Sequence, residues 1–141
     1  MHIVLVLLML LATSCKSNTL SVETGYFTRK DLASSVVGTP DPTKQEAVFG
    51  QRLYIAWNIS PQKFNEGPVE LAIQVRLKKG ALLEKTVPLT EPSGKLVFPI
   101  VGNDYSKKGG LLSYQVKLFS AGKELASSKH KFWVDPIQFS E

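Results

Sequence analysis

The sequence predicts an all-β fold, an antiparallel immunoglobulin-like β-sandwich of about seven strands. Apolar and polar residues alternate with a period of two in several separate segments, as in Leu71-Ala72-Ile73-Gln74-Val75-Arg76-Leu77. Turn-forming residues separate these segments at nearly regular intervals, and no segment after the N-terminal apolar run has a convincing helical period. Many short alternating strands between turns are typical of two packed antiparallel sheets.

The connections between the predicted strands are marked by residues that favour turns. Gly38-Thr39-Pro40-Asp41-Pro42 cannot be helical, because each proline lacks a backbone donor and disfavours helical geometry in the residue before it. A connector therefore runs to Gly50. Pro88 places its strand at a sheet edge, and Ser120-Ala121-Gly122 predicts a hairpin turn. The predicted strands lie near residues 26–37, 51–59, 69–78, 82–89, 94–101, 111–119 and 123–134.

The same alternation predicts which large side chains face the core. The inward positions hold Trp57, Phe98, Leu112, Tyr114 and Phe132. The opposite face holds Tyr54, Phe119 and Trp133, where solvent exposure and cover by another layer are equally open. His130 shares the face of Phe132, which favours a half-buried packing role for its ring over a catalytic one.

Residues 110–116, Gly-Leu-Leu-Ser-Tyr-Gln-Val, resemble the penultimate strand of immunoglobulin domains. In that family Tyr-x-Cys supplies a tyrosine corner and half of the core disulfide. Val116 replaces the cysteine, so the resemblance implies a sandwich but not an antibody-type domain.

The composition excludes several classes of protein. A chain of 141 residues fits a single domain with a tether. One cysteine excludes both a disulfide scaffold and a cysteine-rich zinc site. The net charge of +5 comes from basic residues scattered as singles or pairs, which is too sparse for a nucleic-acid footprint.

The N-terminus has the features of an export signal. Residues 3–12 are all apolar. That run is too short to cross a bilayer, which takes about 20 residues, but it suits a signal-peptide core. Leu11-Ala12-Thr13-Ser14-Cys15 resembles the bacterial lipobox, and the resemblance implies cleavage before Cys15 and attachment of lipid to its sulfur. Lys16, in place of aspartate, implies sorting to the outer membrane.

This N-terminus divides the chain into three predicted parts: a signal peptide at 1–14, a lipidated cysteine and tether at 15–25, and a β-sandwich domain at 26–141. Two alternatives remain open, namely a buried N-terminal helix and an ordinary secretory signal that leaves Cys15 as a free thiol. Thr39-Pro40-Asp41-Pro42, Gly50–Trp57 and Lys129–Val134 together resemble small lipoproteins of chlamydia-like bacteria. That resemblance brings no known activity with it.

No catalytic residue, metal ligand set or cofactor motif is predicted. His130 is the one histidine left after the signal, no Gly-x-Ser-x-Gly turn occurs, and no two carboxylates have distinctive spacing. Gly102-Asn103-Asp104-Tyr105 has oxygen atoms that calcium could use, but a plain turn accounts for it better. Gly109-Gly110 precedes a strand rather than a helix, unlike a phosphate-binding loop.

These observations favour a non-enzymatic envelope lipoprotein whose sandwich binds an envelope protein or an anionic surface component. The alternative is a periplasmic inhibitor or assembly factor on the same scaffold, and a hydrolase ranks third. Consecutive strands of an antiparallel sandwich run in opposite directions, so alternate connections lie at the same end. This predicts that Lys79, Lys107 and Lys108 lie together at the end of the sandwich farthest from the lipid. Lys44, Lys78 and Arg52 lie close to them in this prediction, whereas Lys63, Lys95 and Lys123 lie at the tether end. Ordinary solvated loops remain the alternative explanation of these charges.

Overall fold

The computed structural model describes residues 18–27 and 50–135 of the chain. Alternation of inward apolar with outward, mostly polar side chains is most regular at residues 69–77, and the two helices are single turns within connections. The strands are β1 (Leu20–Phe27), β2 (Gly50–Asn58), β3 (Val69–Leu77), β4 (Leu82–Pro88), β5 (Ser93–Val101), β6 (Leu111–Ser120) and β7 (Lys123–Lys129). The helices are α1 (Pro61–Phe64) and α2 (Asn103–Ser106).

The strands form two antiparallel sheets, which confirms the predicted all-β sandwich of seven strands. One sheet has three strands in the order β1-β2-β5, and the other has four in the order β4-β3-β6-β7. The fourth strand pairs with the third. In constant-type immunoglobulin domains it joins the first sheet instead. The edges of the sheets are therefore β1 and β5 in the first, and β4 and β7 in the second.

The core lies between the sheets and consists of the inward residues of both. Its fully buried members are Leu53, Ile55, Leu71, Ile73, Val75, Leu77, Ile100, Val116 and Leu118. Burying each such side chain stabilises the fold by roughly 1.5–3 kcal/mol. Trp57 and Phe98 are half-buried and pack against this core, and Tyr114 is buried within it. The predicted faces of β2, β3 and most of β6 are therefore confirmed.

The predicted face of Leu112 is wrong. Its side chain is 47% exposed, whereas Leu111 packs against the core. Ser113 pairs with Arg76 but Leu111 pairs with Leu77, so Leu112 is an extra residue in β6. Such a bulge reverses the alternation, which places Leu111 inside and Leu112 outside.

The predicted inward face of Phe132 is also wrong, because β7 ends at Lys129 rather than near 134. For Trp133, whose exposure was left open, the structure shows a covered ring. The Trp133 amide donates to the His130 carbonyl at 2.8 Å, which closes a turn. Phe132 is consequently 62% exposed and Trp133 only 7% exposed. His130 is half-buried, with its ring centroid 5.6 Å from that of Tyr114. This fits its predicted packing role.

The first strand begins at Leu20, earlier than predicted. Residues 20–25, predicted above as tether, pair with β2. Leu20 and Val22 pack against the core while Ser21 and Glu23 lie on the outer face, so the strand has a period of two. The predicted signal peptide, Cys15, and the remaining part of the predicted first strand at 28–37 lie outside the described residues.

Candidate functional site

Two connections meet at one end of the sandwich, which we call the far end: Lys78–Ala81 between β3 and β4, and Gly102–Gly110 between β5 and β6. The Lys79 amide donates to the Lys108 carbonyl at 3.1 Å, and the Lys78 amide donates to the Gly110 carbonyl at 3.0 Å. The far end therefore contains Lys79, Lys107 and Lys108, the three predicted binding residues, together with Lys78.

The close approach of the two connections depends on glycine at position 109. Gly109 has φ +83°, a conformation that side chains rarely adopt, and a Cβ there would lie 3.1 Å from the Lys78 Cβ. A side-chain hydrogen bond provides a second link at the far end. Gln51, at the start of β2, accepts a hydrogen bond through Oε1 from the Leu111 amide at 2.7 Å. Since Gln51 belongs to one sheet and Leu111 to the other, this bond fixes the sheets to each other at the far end.

The charge of the far end is only partly neutralised. The Lys108 Nζ lies 2.8 Å from the Asp104 Oδ1, in a partly exposed i,i+4 ion pair. Such a pair contributes about 0–1 kcal/mol, but it does cancel the Lys108 charge locally. Lys78, Lys79 and Lys107 are exposed and make no ion pair with a described residue. Among the described residues, the far end consequently presents three ammonium groups that have no ion-pair partner.

The start of β1 lies at the opposite end of the sandwich, which we call the near end. Leu20 pairs with Trp57, close to the end of β2, whereas Phe27 pairs with Gly50 at its beginning. An eight-residue strand spans about 26 Å, so the two ends are separated by roughly that distance.

Lys63 and Lys123 lie at the near end, as predicted. The Lys63 carbonyl accepts a hydrogen bond from the Ser120 hydroxyl at 3.1 Å, and Lys123 pairs with Ser120. Lys95 lies within β5, as its predicted strand at 94–101 requires, opposite Ala56 and close to the near end. The predicted neighbour Lys44 lies outside the described residues.

One partly exposed cluster was not predicted from the sequence. The Arg52 guanidinium carbon lies 4.8 Å from the ring centroid of Phe27 and 4.6 Å from that of Tyr54. Gly25 lies directly opposite Arg52, and a Cβ there would lie 2.9 Å from the Tyr54 ring. Predicting this cluster requires the register between β1 and β2, which the sequence of neither strand reveals by itself.

Within residues 18–27 and 50–135, no three metal-ligating side chains are grouped closely enough to hold an ion. No helix in the described part of the chain is both long and apolar enough to span a bilayer. Comparisons with protein-family models, curated proteins and solved structures gave no match.

Proposed function

We propose that this protein is a lipid-anchored envelope protein whose β-sandwich binds an anionic envelope component at its far end, without catalysing a reaction. The observation that supports binding is the contact between Lys79 and Lys108, which joins two separate connections into one basic surface. The lipobox-like Leu11–Cys15 segment supports the anchor. Since β1 starts at the near end, a lipid that precedes it leaves the far end directed away from the membrane.

The chemistry of the far end favours recognition of charge density over recognition of one rigid group. Its cations, Lys78, Lys79 and Lys107, are lysines on exposed turns. Lysine is a flexible point charge, whereas arginine offers a planar fork that matches one carboxylate or phosphate. A carboxylate-rich polymer or an acidic protein surface therefore suits this end. The attraction should act over about 10 Å at 0.1 M salt and weaken as salt rises.

The test compares two double variants that change the net charge equally. Lys79→Glu/Lys107→Glu alters the far end, and Lys63→Glu/Lys123→Glu alters the near end. Binding of a fluorescent decaglutamate peptide is followed by anisotropy at low and at physiological salt. We expect the far-end variant to lose about tenfold in affinity at low salt, chiefly through a slower association rate. The near-end variant should lose less than about twofold.

A separate single variant tests the role of the ion pair. Lys108→Ala should change decaglutamate binding little, because Asp104 already neutralises that lysine. Equal losses from the two double variants would mean that only the net charge matters, which would contradict a binding site at the far end.

A further inference from the structure

The outer face of the three-stranded sheet carries a groove that crosses from β1 over β2 to β5. The cavity has a volume of about 540 Å³, and its lining includes Glu23, Tyr54, Ala56, Lys95 and Val97. Tyr54 and Val97 are directly opposite each other and are 37% and 45% exposed. The small side chain of Ala56 leaves the hollow next to them. The groove reaches β5, and no described strand pairs with the outer edge of β5.

The hydrogen bonds between β5 and β2 show which backbone groups of β5 point away from β2. The Ile59 amide donates to the Pro92 carbonyl at 2.8 Å, and residues of β5 at even numbers continue this ladder to β2. The N–H and C=O groups of Ser93, Lys95 and Val97 therefore point away from β2. Pro99 shares this row, which is the position where a strand proline costs no ladder bond.

The edge of β4 has the corresponding arrangement. The Leu89 amide donates to the Val69 carbonyl at 2.8 Å, so odd-numbered residues of β4 face β3. Leu82, Glu84 and Thr86 then direct their backbone groups to the free edge, and Pro88 ends the row. Leu82 is 48% exposed.

The two free edges are complementary to each other in one antiparallel register. When Lys95 of one copy lies opposite Glu84 of another, Val97 falls opposite Leu82 and Ser93 falls opposite Thr86. Each of these three residue pairs can exchange two backbone hydrogen bonds. On the inner face, the same register places Leu96 beside Leu83, and both are half-buried apolar residues. Pro88 and Pro99 lie outside the residues that pair in this register.

We propose that β5 of one copy pairs with β4 of a second copy, joining the three-stranded sheet of one to the four-stranded sheet of the other. The Leu82 and Glu84 side chains of the second copy then extend the groove beyond β5. Because the short connection 89–92 joins β4 and β5, the two edges lie on the same side of the sandwich. A twofold axis parallel to the strands forms both ladders at once.

Symmetric pairings of a single edge are less favourable. A β4–β4 ladder centred on Glu84 opposes two carboxylates, and like charges in directly opposite positions are destabilising. A β5–β5 ladder leaves Lys95 without an acidic neighbour. It also orients the two copies in opposite directions. Pairing β5 with β4 orients them alike, because β4 and β5 run antiparallel within one copy, so both near ends lie on one side. If the proposed lipid anchor is present, both lipids enter one membrane.

Cysteine cross-linking tests this register. The test mixes a Val97→Cys protein with a Leu82→Cys protein of different tag mass, each full-length and each carrying Cys15→Ser. Directly opposite residues of a hydrogen-bonded pair have Cα atoms about 5.5 Å apart, within the range for a disulfide. Under mild oxidation we expect the mixed dimer at about five times the yield of either Val97→Cys or Leu82→Cys homodimer.

Charge exchange then identifies the ion pair. Lys95→Glu in the Val97→Cys protein should lower the yield about fivefold, and adding Glu84→Lys to its partner should restore it. Lys117→Glu, on an interior strand, is the matched control and should have no effect. Equal yields from all cysteine combinations, a lack of rescue, or no mixed dimer would overturn the proposal. In the last case, the β5 edge is open instead to an extended segment of another protein.

Discussion

The contact between Trp57 and Gly94 makes a quantitative prediction about the stability of the sandwich. The Trp57 ring lies on its cross-strand neighbour, and a Cβ at Gly94 would lie only 2.5 Å from Cζ2. The indole Nε1 also donates to the Glu91 carbonyl at 3.1 Å, which fixes the ring in place. An added methyl group must therefore displace the ring.

The expected magnitudes follow from this geometry. Gly94→Ala should cost about 1–2 kcal/mol, because overpacking of about 1–3 kcal/mol is partly offset by the better strand propensity of alanine. Trp57→Ala should cost about 2–3 kcal/mol, at or below the usual range for a buried tryptophan, since this ring is half-buried. In the double variant the alanine at 94 no longer meets a ring. Its free energy of unfolding should exceed that of Trp57→Ala by about 0.5–1 kcal/mol, the propensity gain, so the coupling equals the overpacking cost of about 1–3 kcal/mol.

Urea denaturation followed by circular dichroism at 25 °C measures all four proteins of this cycle without relying on tryptophan fluorescence. Equal m-values would show that the midpoints report stability alone. If the costs of Gly94→Ala and Trp57→Ala simply add, the ring does not lie on the glycine and the assigned register of β2 and β5 is wrong.

Three further predictions concern other parts of the chain. Ala121→Asn should stabilise the domain by about 1 kcal/mol in thermal unfolding, because Ala121 (φ 49°) and Gly122 (φ 78°) form a hairpin turn that favours Asn-Gly; an unchanged melting temperature would contradict this. The hydrogen bond from Trp133 and the nearby charge of Lys129 lower the pKa of Asp135, so its stabilising contribution is present above the ordinary aspartate pKa and is lost as the pH falls below about 4. The Trp133 indole N–H resonance should shift in that range, and Asp135→Asn should remove the shift. Cys15→Ser should abolish incorporation of labelled fatty acid and release the protein from the membrane fraction; a variant that still labels and sediments would refute the proposed anchor.

The faces of the central strands were predictable because their alternation is uninterrupted. Leu71, Ile73, Val75 and Leu77 are buried at every second position, and no competing pattern exists in β3. In β6 the sequence Leu111-Leu112 offers two equivalent apolar residues, and only the pairing partner decides which one is the bulge. The pairing partners lie in β3, so the sequence of β6 alone does not determine which leucine is the bulge.

The Trp133 environment was unpredictable for a similar reason. The alternation places Phe132 inward, but the chain turns after Lys129 and brings the indole over Arg76, whose guanidinium carbon lies 4.3 Å from the ring centroid. Arg76 also donates to the Val134 carbonyl at 2.7 Å. A polar residue on the outer face of a sheet gives no signal that a later segment will cover it.

Strand reversal alone predicted the grouping of Lys79, Lys107 and Lys108, since antiparallel connectivity determines at which end each connection lies. The neutralisation of Lys108 by Asp104 required the local α2 turn, which the period-two pattern does not include. The complementarity of the β4 and β5 edges was likewise not predictable from the sequence, because it depends on which backbone groups remain unpaired.

The pairing of β1 with β2 has a mechanical consequence. The two strands are in register along their whole length, from Leu20 opposite Trp57 to Phe27 opposite Gly50. A pulling force applied between the start of β1 and the far end acts along the strands, at right angles to their hydrogen bonds. Those bonds are then loaded together in shear and cannot be unzipped one after another. The Gln51–Leu111 hydrogen bond transmits part of this force from β2 to the second sheet. The domain should therefore resist a force applied by a partner bound at the far end better than a force that separates β1 from β2 perpendicular to the strands.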